Sequence, residues 1–281
     1  MKMFVTWAAL VAICAGASGS GAQLQVTPQD EPQRVFGGST QTISVRWRNG
    51  GSATIETEIR MRTMQLSSAT ATQIDDVPWK TLQVLPGQTI METAALACPT
   101  VKGETRFLVQ WIARTNDILG ATEVRVYPTN LLAELQPLVG HDDGVLGIFD
   151  PQNQIKPLLK NVKVDFVDLE NAVLEDFRGK LAIIGPFEAK ASIDSTLTKK
   201  VQKLSEHKVA VVWIQPPGAP EEKPVPSFYS VSGTETSVVI VQPELVSDLP
   251  KNPQSQLNVI YFCKLALHPQ PLVLPDMSLQ R

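Results

Sequence analysis

Histidine and cysteine are scarce in this chain, with three of each among 281 residues. His141, His207 and His268 are scattered, and no C-x-x-C or similar ligand spacing occurs, so the common zinc frameworks are excluded and no metal or cofactor is expected. No run of five or six basic residues is present and the formal charge is -3, which argues against nucleic acid or an anionic membrane as the main partner. No apolar stretch approaches the ~20 residues of a membrane span. The glycine patterns G-x-G-x-x-G, G-x-x-x-x-G-K-[ST] and G-x-S-x-G are all missing, so neither a phosphate cradle nor a hydrolase elbow is encoded.

What is present begins with an export signal pattern. Lys2 precedes an apolar run from Met3 to Ala15, and small residues follow. Ser20 and Ala22 suit the -3 and -1 positions of a cleavage site before Gln23, with a site after Ala17 as the competitor. Residues 1–22 are therefore expected to be a signal peptide, and the protein to be secreted or periplasmic, in the cell envelope. Cys14 resembles a lipoprotein cysteine, but Ile13 is bulky where a small residue is required. Once Cys14 is removed, Cys98 and Cys263 remain, and either a disulfide or two separate thiols would suit an oxidising compartment. Two separate thiols is the expectation, because the residues fall in different predicted domains.

From 23 to 128 the dominant period is two. Ile43, Val45 and Trp47 share one strand face, and Ile55, Thr57, Ile59 and Met61 another, which reads as a hairpin about Asn49, Gly50 and Gly51. Two further strands are expected to join at Pro86 and Gly87. Phe107, Val109 and Trp111, then Val124 and Val126, turn inward. Seven or eight short strands without a helical period predict an all-β immunoglobulin-like sandwich, although the Cys…Trp…Cys signature is absent.

After Pro128 the period changes, and 129–268 is predicted to be an α/β domain with a mainly parallel sheet and flanking helices. A short helical lead-in at Leu131, Leu132 and Leu135 precedes six apolar strands: "VLGIF", "VKVDFV", "KLAII", "KVAVVWI", "SVVIV" and "LNVIYF". Such continuous apolar strands imply burial on both faces. Ile193, Leu197, Val201 and Leu204 mark a helix from 193 to about 207, capped by Ser192. The segment 155–162 is also helical in spacing. Residues 216–226 carry five prolines in eleven positions and predict a surface excursion. Residues 269–281 read as an irregular tail.

Ligands of such a sheet sit at the carboxyl ends of its strands. The candidates there are Asp150, Asp168, Glu188 and Gln215. Strand-end carboxylates commonly cap the next helix, so the expected role of these acids is structural. "GHDDG" places His141, Asp142 and Asp143 before the first strand, either as an acid/base or metal group or as a plain polar turn. Trp79 is either a carbohydrate-stacking platform or sandwich core.

The run "KLAIIGPFEA" with "LTKKVQKLSEHKVAVVWIQ" resembles the class I glutamine amidotransferase-like fold, of the flavodoxin-like type, including its catalytically silent form in certain β-galactosidases. The resemblance covers roughly residues 140 to 265. It implies a cysteine on a strand-to-helix turn, with a histidine and an acid. Here that turn carries Gln215 and Pro216, so the nucleophile is missing. "LPGQT", "KGETRFLVQW" and "EVRVYP" resemble the immunoglobulin-like accessory domains of glycoside hydrolase family 2. That likeness transports architecture but no catalytic glutamates, since a (β/α)8 barrel needs about 250 residues. The reading that follows is a non-catalytic binding or assembly protein with a protein or carbohydrate partner. The alternative is a carbohydrate-active hydrolase or sugar-binding accessory protein with carboxylates at the strand ends.

Overall fold

The computed structural model describes residues 24–140, 145–171, 174–187, 195–216, 229–232 and 237–269. They pack as two compact units. One holds 24–33, 42–96 and 105–124; the other holds 34–41, 97–104 and the described residues from 125 onward.

The amino-terminal part is all β. Its strands are β1 (Leu24–Val26), β2 (Gln33–Phe36), β3 (Thr40–Asn49), β4 (Ile55–Leu66), β5 (Ala71–Val84), β6 (Thr89–Ala97), β7 (Thr105–Ala113) and β8 (Ile118–Tyr127). They form a three-stranded sheet, β1-β3-β6, and a five-stranded sheet, β2-β8-β7-β4-β5. Alternation decides the buried faces as predicted: Ile43, Val45, Trp47, Phe107, Val109, Trp111, Val124 and Val126 are at most 1% exposed. Tryptophans from both sheets meet, with the Trp47 and Trp111 rings 5.7 Å apart and nearly perpendicular.

The expected hairpin about Asn49 is not a hairpin, because β3 and β4 lie in different sheets. The two strands expected to join at Pro86 and Gly87 are β5 and β6, and that turn also leads from one sheet to the other. The glycines after Asn49 serve a crossover instead of a tight turn, and Asn49 itself secures it. Its fully buried side chain donates to the Ala53 and Val84 carbonyls at 2.8 and 3.0 Å and accepts from the Gly51 amide at 2.9 Å. Period-two patterning states which residues face inward; it does not state which strand is the neighbour. β4 pairs instead with β5 on one side and β7 on the other. Pro78, which has no amide hydrogen, sits in edge strand β5 beside a register shift at Ile59/Arg60, a position where no ladder donor is required.

The second part is α/β. A 3-10 turn (Leu131–Glu134) leads into α1 (Leu135–Val139), followed by β9 (Leu146–Phe149), α2 (Lys156–Asn161), β10 (Val167–Asp168), β11 (Leu181–Ile184), α3 (Ser195–Glu206), β12 (Ala210–Ile214), β13 (Tyr229–Ser232), β14 (Val238–Val241) and α4 (Pro253–Leu267). The sheet order is β10-β9-β11-β12-β14-β13. The first five strands run parallel, while β13 pairs antiparallel with β14. Both faces are covered. Leu181, Ile183, Val212 and Val239 pack on the α4 side with Val259, Ile260 and Cys263, and Ala182, Ile184, Val211 and Trp213 pack on the α3 side with Val201 and Leu204. Each fully buried Val or Ile contributes about 1.5–3 kcal/mol, so these strands anchor the unit.

Two strand expectations change, and one strand is additional. "LNVIYF" is not a strand but the middle of α4, which places Cys263 in a helix. Asn252 caps that helix by accepting the Gln254 amide at 3.0 Å, and Pro253 supplies a preset first residue. The buried positions Gln256, Val259, Ile260, Cys263, Ala266 and Leu267 follow helical spacing, leaving Tyr261 half exposed. β-branched and aromatic content had suggested a strand there, and packing on β12 and β14 overrode that propensity. "VKVDFV" contributes only Val167–Asp168 to the sheet, and β13 was not foreseen. The signal segment, the Ser192 cap and the greater part of 216–226 lie outside the described residues.

Candidate functional site at the strand ends

The carboxyl ends of β9, β10, β11, β12 and β14 share one rim. In an open parallel sheet the binding crevice falls where strand order reverses, and here β9 and β11 flank that point.

Asp150 follows β9 and is 1% exposed. Its carboxylate accepts the amides of Gln154, Ile155 and Lys156 at 3.1, 2.7 and 3.0 Å. Those are orphan donors at the start of α2, and a carboxylate there also meets the positive end of the helix dipole. Lys156 begins α2, where a cation is disfavoured by that same dipole. Its ammonium turns to the neighbouring strand end instead. It donates to Asp168 at 2.8 Å and to Glu170 at 2.7 Å, with its side chain 9% exposed. Glu170 Oε1 also accepts the Asp150 amide at 2.9 Å, so the β9 and β10 ends are stitched by four side chains. The hydrogen bond from Lys156 holds the Asp168 carboxyl below its ordinary range. Burial alone would lower the Lys156 ammonium, but the bonds to Asp168 and Glu170 outweigh it and raise it.

Gly185 follows β11 at φ +100, and a Cβ there would stand 2.6 Å from the Ile214 carbonyl, so only glycine lets the two strand ends approach. Phe187, just beyond, packs on Phe149 with ring centres 6.3 Å apart. Gln215 extends the ladder, its amide donating to Val241 at 2.9 Å, and its side chain is half-buried.

Of the sequence candidates, the structure brings Asp150 and Asp168 together through Lys156. Gln215 stands apart at the end of β12. His141, Asp142, Asp143 and Glu188 lie outside the described residues. Lys156 and Glu170 were missed. A lysine at the first position of a helix is an electrostatic misfit, and that misfit was the available signal for a nearby acid pair. No group of three or more His, Cys, Asp or Glu positioned to hold a metal occurs among the described residues.

The two thiols are separate and buried. Burial pushes the Cys98 thiol up to about 11, and pushes Cys263, fully enclosed in α4, higher still. Trp79 is half-buried: it lies against Trp111 at 4.9 Å and Trp47 at 6.1 Å, under the Lys80 ammonium at 4.9 Å.

No protein-family model matches the chain, and no curated protein matches it. Solved structures give only faint likeness. The alkylpurine DNA glycosylase AlkC of Pseudomonas fluorescens aligns at 12% identity and TM-score 0.30, over 38% of this chain and 31% of that one. A β-glucosidase from Listeria innocua aligns at 13% identity and TM-score 0.27, over 37% and 16%. A cycloisomaltooligosaccharide glucanotransferase from Paenibacillus sp. aligns at 13% identity and TM-score 0.30, over 69% and 27%. The chain spans less than a third of the length of each, and at these scores the likeness carries no functional argument.

Proposed function

We propose that the chain is an exported, non-catalytic binding or assembly protein, pairing an immunoglobulin-like sandwich with a silent flavodoxin/amidotransferase-like sheet. The parallel order, in which the second strand lies outside the first and the third, fourth and fifth follow, supports the finer α/β reading. Export rests on Lys2, the apolar run and the small residues before Gln23. One observation carries the non-catalytic reading: the carboxylates at the ends of β9 and β10 are engaged within the fold. Asp150 accepts three amides, while Asp168 and Glu170 share one buried ammonium. A catalytic carboxylate must instead reach a substrate atom or water with a free lone pair or proton. Among the described residues, no helix is long and apolar enough to cross a membrane.

The test is hydrolysis of glutamine and of chromogenic glycosides by the purified mature chain, with capture of partners from the native envelope. Turnover that Asp168→Asn or Asp150→Asn abolishes in a folded protein would replace this reading with the carbohydrate-active one. Absent turnover, with a specific co-purifying protein, supports it.

A further inference from the structure

Arginines on the outer faces of the two all-β sheets are in different conditions. On the five-stranded sheet they are paired: Arg60 and Arg62 bond Asp76 at 2.8 and 2.9 Å, Arg106 bonds Glu123 at 3.1 Å, and Arg125 bonds Glu104 at 3.1 Å. On the three-stranded sheet, Arg46 and Arg48 are exposed and have no side-chain hydrogen bond or ion pair among the described residues. Alternation along β3 puts both on its outer face, since Val45 and Trp47 are buried. β6 runs antiparallel beside β3: the Asn49 amide bonds the Gln88 carbonyl at 2.9 Å at one end, and the Cys98 amide bonds the Ser39 carbonyl at 3.2 Å at the other. The shared offset sets Arg48 across from Thr89 and Arg46 across from Met91, which is 64% exposed. From Thr42 to Arg48 and from Thr89 to Ala95, every outward position is Thr, Ser, Ala, Met or Arg. Asp30 and Glu31 border a cavity with Arg46 beside this face, but neither pairs with it. Two guanidinium charges thus stand uncompensated on a chain whose formal charge is -3.

We infer that the outer face of β3 and β6 docks an acidic protein surface, with carboxylates on Arg46 and Arg48 and an apolar side chain on Met91. Arginine and methionine are enriched in protein interfaces, whereas lysine, aspartate and glutamate are depleted, and this face follows both trends. An acidic polysaccharide or lipid surface would pair with the arginines but gain little from the methionine, so a protein partner is favoured. A second copy about a twofold axis would set arginines near arginines, so identical faces repel. The inference deepens the binding reading above and rests on it for its role. Turnover at the strand ends would sink that reading, and charge reversal at Arg46 and Arg48 would leave such turnover unchanged, so the two failures are distinguishable.

The test is an NMR titration of the full chain with a short glutamate peptide carrying one central leucine, which stands in for the acidic partner. Saturable shifts are expected at the Arg46, Arg48 and Met91 amides, weakening as salt is added. Reversing both charges, Arg46→Glu with Arg48→Glu, should weaken binding about tenfold or more. Met91→Ser should weaken it about threefold and leave the salt dependence unchanged, because it removes only an apolar contact. All three positions are exposed, so the variants keep the buried face of the sheet intact. Lys199→Glu, an exposed cation on α3, is the control and should change nothing. An equal loss in Lys199→Glu, or shifts that map away from β3 and β6, would overturn the site. Tighter binding of polygalacturonate or of phosphatidylglycerol vesicles than of the peptide would overturn the protein partner.

Discussion

Lys156 reaches out of the first turn of α2 to place its ammonium 2.8 Å from Asp168, at the end of the adjacent strand. The contact links a helix start to a two-residue strand that has little ladder of its own. Replacing the lysine with an equally long apolar chain leaves Asp168 and Glu170 facing each other without a cation. Each acid keeps about a third of its surface in water, which tempers the penalty. Lys156→Met is expected to lose about 1–3 kcal/mol of stability, measured by urea denaturation.

Asp150 anchors the same corner through the backbone. Asp150→Ala removes an acceptor shared by three amides, at a position closed to water, and should cost about 2 kcal/mol. Asp150→Asn keeps one acceptor oxygen and should cost less. Equal losses for the two substitutions in urea melts would show that the carboxylate is not the cap.

Stability should depend on pH through this pair with a definite sign. The folded Asp168 carboxyl lies below its unfolded value of about 3.9, so its contribution is present above that pH and is lost as pH falls through the folded value. Asp76 behaves alike, because its bonds to Arg62 and Arg60 outweigh a desolvation that alone would raise it. The Lys156 ammonium is raised, so its contribution is complete below about 10.4 and is lost as pH rises through the folded value. Stability profiles between pH 2 and 5 should therefore flatten in Asp168→Asn relative to the native chain. An unchanged acid limb would remove Asp168 from the account.

In the amino-terminal all-β part, Trp79→Ala takes a half-buried ring from its contacts with Trp47 and Trp111. A loss of about 2 kcal/mol is expected, less than for a fully buried tryptophan, with a reduced near-ultraviolet circular dichroism signal from the ring cluster. Full native stability would instead mark Trp79 as a surface group.

Cys98 and Cys263 should resist a thiol reagent at pH 8 in the folded chain and react in guanidinium chloride, since burial keeps both protonated. Rapid labelling of the native protein at either position would contradict the enclosed geometry.

Local pattern determined which faces are dry and which segments alternate. Strands such as "LAII" and "VAVVWI" announce burial on both sides because every position is apolar, and the structure covers both faces. Strand partnership is different in kind. Whether β3 turns back on itself or crosses to the other sheet depends on a buried Asn49 whose partners include Val84, thirty-five positions away. The identity of α4 was decided similarly: β-branched and aromatic residues favour a strand locally, but their spacing presents one apolar stripe to β12 and β14 once Asn252 and Pro253 start the helix. At the strand ends, residue type alone marked Asp150 and Asp168 as candidates. Only the fold supplied Lys156 between the ends of β9 and β10, because a charge deprived of water is stable where distant segments bring its counter-charges within hydrogen-bond reach.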